Sequence, residues 1–157
     1  MLKIIRNAVG AIVYKGEKFL LVHKTKINTK EGKENIKGEW DFIKGGVKEE
    51  DNGLQDSIIR ELDEETGSKD YTIIKQFHEK ITFSFPIEIR KKIGFNKQET
   101  TMFLVEYFGE LETLKQKDDE IDEIVFINKN NVMDLLTHPD TKEFFLRNIL
   151  DGKLRVE

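Results

Sequence analysis

Apolar positions along the chain recur in two patterns, one typical of strands and one typical of helices. Apolar runs at 5–14 and 19–23 flank a short polar stretch at 15–18, which predicts an N-terminal β-hairpin. No proline interrupts 53–67, where Leu54, Ile58 and Leu62 recur at helical spacing and Gly67 follows as a stop signal. We therefore predict a helix between Gly53 and Gly67.

The remaining segments complete a mixed order of elements. A polar stretch from Lys24 to Gly38 is interpreted as a loop, and Glu39–Gly46 as a short strand that leads into a glycine turn. Further strands are predicted at 71–77, 79–85, 101–108 and 123–127, and further helices at 131–136 and 141–150. This order predicts an α/β fold of mixed α+β type, with one domain over residues 1–157.

Three carboxylates are predicted to share one face of the first helix. At about 100° per residue, Glu61, Glu64 and Glu65 fall within one stripe beside the apolar stripe. Like charges at these spacings cost an isolated helix a few tenths of a kcal/mol per pair, so they favour a compensating partner such as a divalent cation. The alternative from spacing alone is a solvated acidic face on which Arg60 and Glu64 form an ordinary ion pair.

The segment from Gly45 to Gly67, GGVKEEDNGLQDSIIRELDEETG, resembles the Nudix box. Seven residues match that box in register, namely Gly46, Arg60, Glu61, Leu62, Glu64, Glu65 and Gly67. The resemblance implies that Glu61, Glu64 and Glu65 bind catalytic Mg²⁺ or Mn²⁺, that the Gly45 carbonyl completes the coordination, and that Arg60 orients the carboxylates. It also implies an α/β/α sandwich with a mixed sheet between helices.

Two positions depart from the box. Asn52 stands where the family has its first glutamate, which often braces the arginine, and Ser68 stands where an aliphatic residue is expected. We interpret Asn52 either as a helix N-cap or as a residue with a catalytic role, because asparagine caps helices well. Ser68 is expected only to soften a packing contact.

Two later segments are similar to parts of bacterial RNA 5′-pyrophosphohydrolases. Glu120 precedes a predicted strand at the position where those proteins carry an additional metal ligand or general base, with Glu123 as the reserve candidate. The stretch around Arg90, Lys91 and Lys92 is similar both to that group and to diadenosine tetraphosphate hydrolases. For these segments the alternatives are an acidic surface loop and a charged hairpin loop.

Composition limits the classes of partner. Charged residues make up 36% of the chain, against about 25% in typical domains, and the net charge is −4. Any phosphate binding must therefore be local rather than driven by a general basic field. The chain has no cysteine, which excludes thiolate chemistry and Cys-ligated zinc, and no segment approaches the roughly 20 apolar residues of a membrane span. We expect a cytoplasmic protein without membrane contact, as a monomer or a homodimer.

The resemblance implies a Mg²⁺-dependent hydrolase that cleaves a phosphoanhydride bond in a nucleoside diphosphate derivative. Lysines between Lys24 and Lys37, together with Lys44, Arg90, Lys91 and Lys92, are predicted to bind substrate phosphates. So many cations favour dinucleoside polyphosphates or 5′-triphosphorylated RNA over ADP-ribose or an oxidised nucleotide. The alternative of another class is a catalytically retired Nudix domain that binds a nucleotide or a protein as a sensor.

Overall fold

The structure is a computed structural model that describes residues 4–117 and 119–151; the remainder of the predicted domain 1–157 lies outside the described residues. Its strands are β1 (Ile5–Lys15), β2 (Lys18–Thr29), β3 (Gly32–Asp41), β4 (Ile43–Gly46), β5 (Tyr71–Ser84), β6 (Lys97–Tyr107) and β7 (Ile121–Asn128). Its helices are α1 (Leu54–Thr66), α2 (Ile87–Ile93), α3 (Val132–Leu135) and α4 (Pro139–Phe145), and a π-helical turn, Leu146–Leu150, continues α4.

All seven strands belong to one mixed sheet. The order is β3-β2-β1-β6-β5, and β4 pairs with β1 while β7 pairs with β2. The pairing of β1 with β6 is parallel, and the other pairings are antiparallel. Because Val9 pairs with Gly45 and Ala8 with Gly46, the two glycines lie beside a central strand.

Two apolar layers cover the two faces of the sheet. On one face, Ile58 and Leu62 of α1 are fully buried against residues such as Val9 of β1. On the other face, Phe144 and Phe145 of α4 are buried against the sheet in a second cluster. Each such side chain contributes about 1.5–3 kcal/mol on burial. The predicted sandwich of helices around a mixed sheet is confirmed.

Several element predictions are confirmed and others need correction. The N-terminal hairpin is present, with Tyr14 paired to Phe19. The predicted loop from Lys24 to Gly38 is wrong, because β2 and β3 extend through most of it as a two-stranded ribbon. The strands predicted at 71–77 and 79–85 are one strand, β5, with an irregular register between Gln76 and Lys80.

The basic segment at 90–92 is helical rather than a loop. Pro86 precedes α2, and Gly94 ends it in the left-handed region with φ 86°. This conformation is open to glycine at little cost and therefore closes the helix. Among the described residues, no helix is long and apolar enough to cross a membrane.

Candidate active site

The helix α1 is placed by its buried stripe, and this placement orients its polar residues. Ile58 and Leu62 are fully buried, whereas the side chains of Arg60 and Glu61 are 20% and 12% exposed. Gly67 ends the helix with φ 75°, and its N–H donates to the Asp63 carbonyl at 2.9 Å. Of the three glutamates that the spacing predicts at the edge of the core, Glu61 and Glu64 are half-buried there, whereas Glu65 is buried.

Arg60 is the centre of the cluster. Its Nη1 donates to Glu61 Oε2 at 2.9 Å and to Glu64 Oε2 at 3.2 Å. Its Nη2 donates to the Gly46 carbonyl at 2.9 Å, which ties α1 to the end of β4. One guanidinium therefore sets the positions of two carboxylates and of the glycine turn. Hydrogen bonds to carboxylates, first to Asp51 and then to Glu61 and Glu64, raise the pKa of Arg60.

Asp51 braces Arg60 from the other side. Arg60 Nε and Nη2 donate to the two oxygens of Asp51, each at 2.9 Å, in a bidentate pair. The Ser57 hydroxyl and the Lys48 backbone N–H also donate to Asp51 Oδ2, at 2.7 and 2.9 Å. These bonds, led by those from Arg60, hold the pKa of Asp51 well below its usual range. The brace is thus present one residue before the position at which the family motif has it.

The interpretation of Asn52 as a helix N-cap is wrong. Gly53 is the residue before α1, and no side chain caps the helix. Asn52 is exposed, and its backbone N–H donates to Asp56 Oδ2 at 3.1 Å. Ser68, the other departure from the motif, is buried, and its hydroxyl accepts a hydrogen bond from the Asp70 N–H at 3.1 Å.

Glu61 packs directly on Gly45. A Cβ atom at Gly45 would lie 2.0 Å from Glu61 Cδ, so only glycine leaves room for the carboxylate. Burial raises the pKa of Glu61, while its hydrogen bond from Arg60 acts in the opposite direction. The glycine turn therefore forms a cradle for the Glu61 carboxylate. Carboxylate oxygens are ligands that a hard divalent cation prefers.

Arg6 contacts the next glycine and was not identified as a site residue from the sequence. Its Nη2 lies 3.0 Å from the position of a Cβ on Gly46, and its Nη1 donates to Gln98 Oε1 at 2.7 Å. Burial lowers the pKa of Arg6, while the charges of Glu61 and Glu120 raise it. Only pairing between distant strands creates this position, so no local sequence signal marks it.

Glu120 and Glu61 of the box both lie close enough to Arg6 for their charges to raise its pKa. The Glu120 side chain is 18% exposed, and Lys33 Nζ lies 3.9 Å from its Oε2. The Glu120 carbonyl accepts a hydrogen bond from the Thr25 N–H at 2.8 Å, which fixes the start of β7 against β2. Glu123, the reserve candidate, is exposed and lies opposite His23 in the sheet.

The predicted metal ligands have a suitable chemistry, although they are not arranged as a closed cage. Glu65 is only 8% exposed, and Glu61 and Glu64 share the Arg60 guanidinium. Among residues 4–117 and 119–151, no group of three or more His, Asp or Glu side chains converges as a metal site. Carboxylates beside a glycine cradle fit Mg²⁺ or Mn²⁺, and Glu61, Glu64 and Glu65 are the side chains that would hold the ion.

The predicted substrate-binding residues are not brought together. Lys44 Nζ lies 3.1 Å from Asp41 and donates to the Thr141 hydroxyl at 2.9 Å, on the α4 side of the sheet rather than the α1 side. Arg90 Nε donates to the Phe85 carbonyl at 2.8 Å, and Lys92 Nζ lies 3.3 Å from Glu34.

A pocket of about 440 Å³ opens beside the cluster. It is lined by Lys33, Glu64, Lys117 and Asp119. Glu64 is thus common to the pocket and to the Arg60 cluster.

Comparisons with known proteins find relatives of this chain by sequence. The RNA pyrophosphohydrolase of Sulfurovum sp. is 29% identical over 136 residues, which cover 85% of this chain and 79% of that protein. That of Campylobacter jejuni is 28% identical over 101 residues, so that the chain spans 64% of the length of that relative.

Solved structures support the same fold. The MutT protein from Methanosarcina mazei Go1 superposes with a TM-score of 0.71 at 21% identity, covering 98% of this chain and 99% of that one. The C. elegans Ap4A hydrolase gives a TM-score of 0.65 at 16% identity, covering 96% and 100%. A model of the NUDIX domain matches residues 5–148, and the chain therefore belongs to the Nudix family.

Proposed function

We propose that this protein is a hydrolase of phosphoanhydride bonds in nucleoside diphosphate derivatives, built as one Nudix domain over residues 1–157. The observation that carries the proposal is the Arg60 cluster, in which one braced guanidinium holds Glu61 and Glu64 beside the Gly45 cradle. The alternative, a solvated acidic helix face, would require neither the bidentate pair between Asp51 and Arg60 nor a glycine in contact with the Glu61 carboxylate.

Each group of site residues has a separate role in the proposed reaction. Glu61, Glu64 and Glu65, with the Gly45 carbonyl, would hold Mg²⁺ or Mn²⁺, which supplies positive charge against the phosphate oxygens and favours ionisation of water. Arg60 orients the carboxylates, and Asp51 fixes Arg60 in turn. Glu120, or a glutamate of the box, takes the proton of the attacking water on a carboxylate oxygen.

The preferred substrates are dinucleoside polyphosphates or 5′-triphosphorylated RNA. Support comes from the relatives in Sulfurovum and Campylobacter, which are RNA pyrophosphohydrolases by name, and from the Ap4A hydrolase fold. ADP-ribose is the competing candidate, since the Nudix domain of Shewanella oneidensis NrtR, of similar fold at 14% identity, was solved with ADP ribose.

A retired Nudix domain that acts as a sensor is the second class of function. Asn52 favours it, because the first glutamate of the box is missing. Asp51 argues against it, because the brace that this glutamate often supplies is still made.

A substrate panel with two matched variants tests the proposal. Wild-type protein with Mg²⁺ or Mn²⁺ should hydrolyse a dinucleoside polyphosphate or triphosphorylated RNA with higher kcat/KM than ADP-ribose. Glu64→Gln should lower turnover by about two orders of magnitude or more while folding is retained, because it removes a negative oxygen. Glu112→Gln, at an exposed position in a turn outside the cluster, should match the wild type. Wild-type rates in Glu64→Gln at limiting Mg²⁺ would contradict the metal assignment, and no hydrolysis by the wild type would favour the sensor.

A further inference from the structure

The pocket beside Glu64 has a cationic wall formed by the β2–β3 ribbon. Lys26 pairs with Asn35 and Asn28 with Lys33, so Lys26 and Lys33 lie on the same face of the ribbon. Both lysines reach Asp119, since Lys26 Nζ lies 3.5 Å from Oδ2 and Lys33 donates to Oδ1. Lys33 is thereby placed between Asp119 and Glu120.

The second group of cations lies on the other face of the same ribbon. Glu34, which pairs with Lys92 of α2, is adjacent to Lys33 along β3 and so points the opposite way. The ribbon therefore separates Lys92 from the pocket. Of the two predicted groups of cations, the ribbon therefore contributes Lys33 to the pocket that Glu64 also lines.

The Asp119 carboxylate is held by two lysines in the way that a bound anion would be held. Its two carboxylate oxygens each face a lysine ammonium. A phosphate presents oxygens of similar spacing with more negative charge. Because the Asp119 side chain is 63% exposed, an incoming phosphate can take its place without burying a carboxylate.

We propose that Lys33, assisted by Lys26, binds the third phosphate of a chain of three or more phosphates whose scissile end lies at Glu64. The inference rests on the proposed hydrolase function and names the ligand class of its substrate site: a nucleoside triphosphate or polyphosphate. Asp119 occupies the two lysines until the substrate phosphate arrives. Lys33 is thus a specificity-determining residue, which separates triphosphate from diphosphate compounds.

Equilibrium binding of two analogues that cannot be cleaved tests this inference. The probes are adenosine 5′-triphosphate and 5′-diphosphate analogues with methylene groups in place of the bridging oxygens, titrated calorimetrically in Mg²⁺. Lys33→Ala should weaken the triphosphate analogue about tenfold and the diphosphate analogue less than about twofold, because only the third phosphate reaches the lysine. Lys18→Ala, an exposed lysine at the far end of β2, should leave both affinities unchanged.

Asp119→Asn separates direct binding from a structural role. If Asp119 competes with phosphate, this variant should bind the triphosphate analogue several-fold more tightly. Equal weakening of both analogues in Lys33→Ala, or weaker triphosphate binding in Asp119→Asn, would show that Lys33 only tethers the ribbon and would overturn the inference. Because these probes are not cleaved, that failure is distinct from a failure of the wild type to hydrolyse the substrate panel.

Discussion

At the scale of single residues, the site depends on an acid that occupies a different position from the one the motif specifies. Asp51 has 3% of its side chain exposed and receives four hydrogen bonds, two of them from Arg60. Asparagine in its place would keep the shape and lose the charge. The positions of Glu61 and Glu64 follow from Arg60, so the effect should reach the reaction.

We expect Asp51→Asn to lower kcat about 100-fold, because small displacements of catalytic groups have effects of this size. Steady-state kinetics and melting temperature measured together would show the loss, with Asn52→Ala as the control of unchanged rate. Adding Asn52→Glu to Asp51→Asn should recover part of the rate, since the family's own residue can then brace Arg60. Asn52→Glu alone should change little. A double variant no better than Asp51→Asn would mean that Asp51 acts other than through Arg60.

The sequence predicted the positions of Glu61 and Glu64 on the helix, but it predicted few of the contacts that hold these side chains in place. The helical spacing of Leu54, Ile58 and Leu62 was enough to place Glu61 and Glu64 at the edge of the core. The role of Asp51 was not predicted, because its contact with Arg60 depends on the turn between Lys48 and Asp51. Arg6 was not predicted as a site residue, because its neighbours, Gly46 and Gln98, come from distant strands.

At the scale of elements, the least predictable parts are those with little apolar surface. The β2–β3 ribbon from Lys24 onward is exposed or half-buried on both faces, so its sequence carries no apolar alternation and resembles a loop. The helix α2 is seven residues long with no buried residue, and its basic composition predicted a loop equally well. Strands buried on both faces, such as β1, carry a continuous apolar run and were predicted to within a residue or two.

The contact between β3 and the start of α4 should make stability depend on pH. His138, the residue before α4, has Nε2 3.1 Å from Glu39 Oε1 of β3. Their hydrogen bond is the main cause that raises the pKa of His138 above 6.5 and lowers that of Glu39 below 4.5. The histidine contribution is lost as pH rises through its raised pKa, and the glutamate contribution is lost as pH falls through its lowered one. The pair therefore stabilises most between these two ordinary values.

We expect His138→Gln to destabilise the protein by about 0.5 kcal/mol near pH 5.5 and by less near pH 9, because partly exposed ion pairs contribute little. Denaturant unfolding at both pH values measures the difference, and His78→Gln, at an exposed position, serves as the control. An equal loss at the two pH values would show that His138 acts through packing alone.

At the scale of the whole molecule, net charge limits how a long substrate is held. With a net charge of −4, the protein has no general basic field, and the cations that line the pocket beside the site are Lys33 and Lys117. We expect the KM for 5′-triphosphorylated RNA to change less than about threefold between 3 and 20 nucleotides, because a protein of negative net charge gains little from phosphates far from the pocket. Initial rates over a length series at two salt concentrations measure this. A KM that falls steadily with length, and more steeply at low salt, would contradict the expectation.

The parallel pairing of β1 with β6 has a consequence for how the chain reaches its fold. Ten consecutive pairs, from Ile5 with Lys97 to Tyr14 with Glu106, join the start of the chain to a segment made much later. The central strand therefore lacks one of its neighbours until the residues of β6 have been synthesised. Such non-local pairing makes folding slow, since the intervening chain must close before the contacts form. During translation, β1 to β5 would leave the ribosome before β6 is made, so α1 would have no finished sheet to pack on until β6 is synthesised.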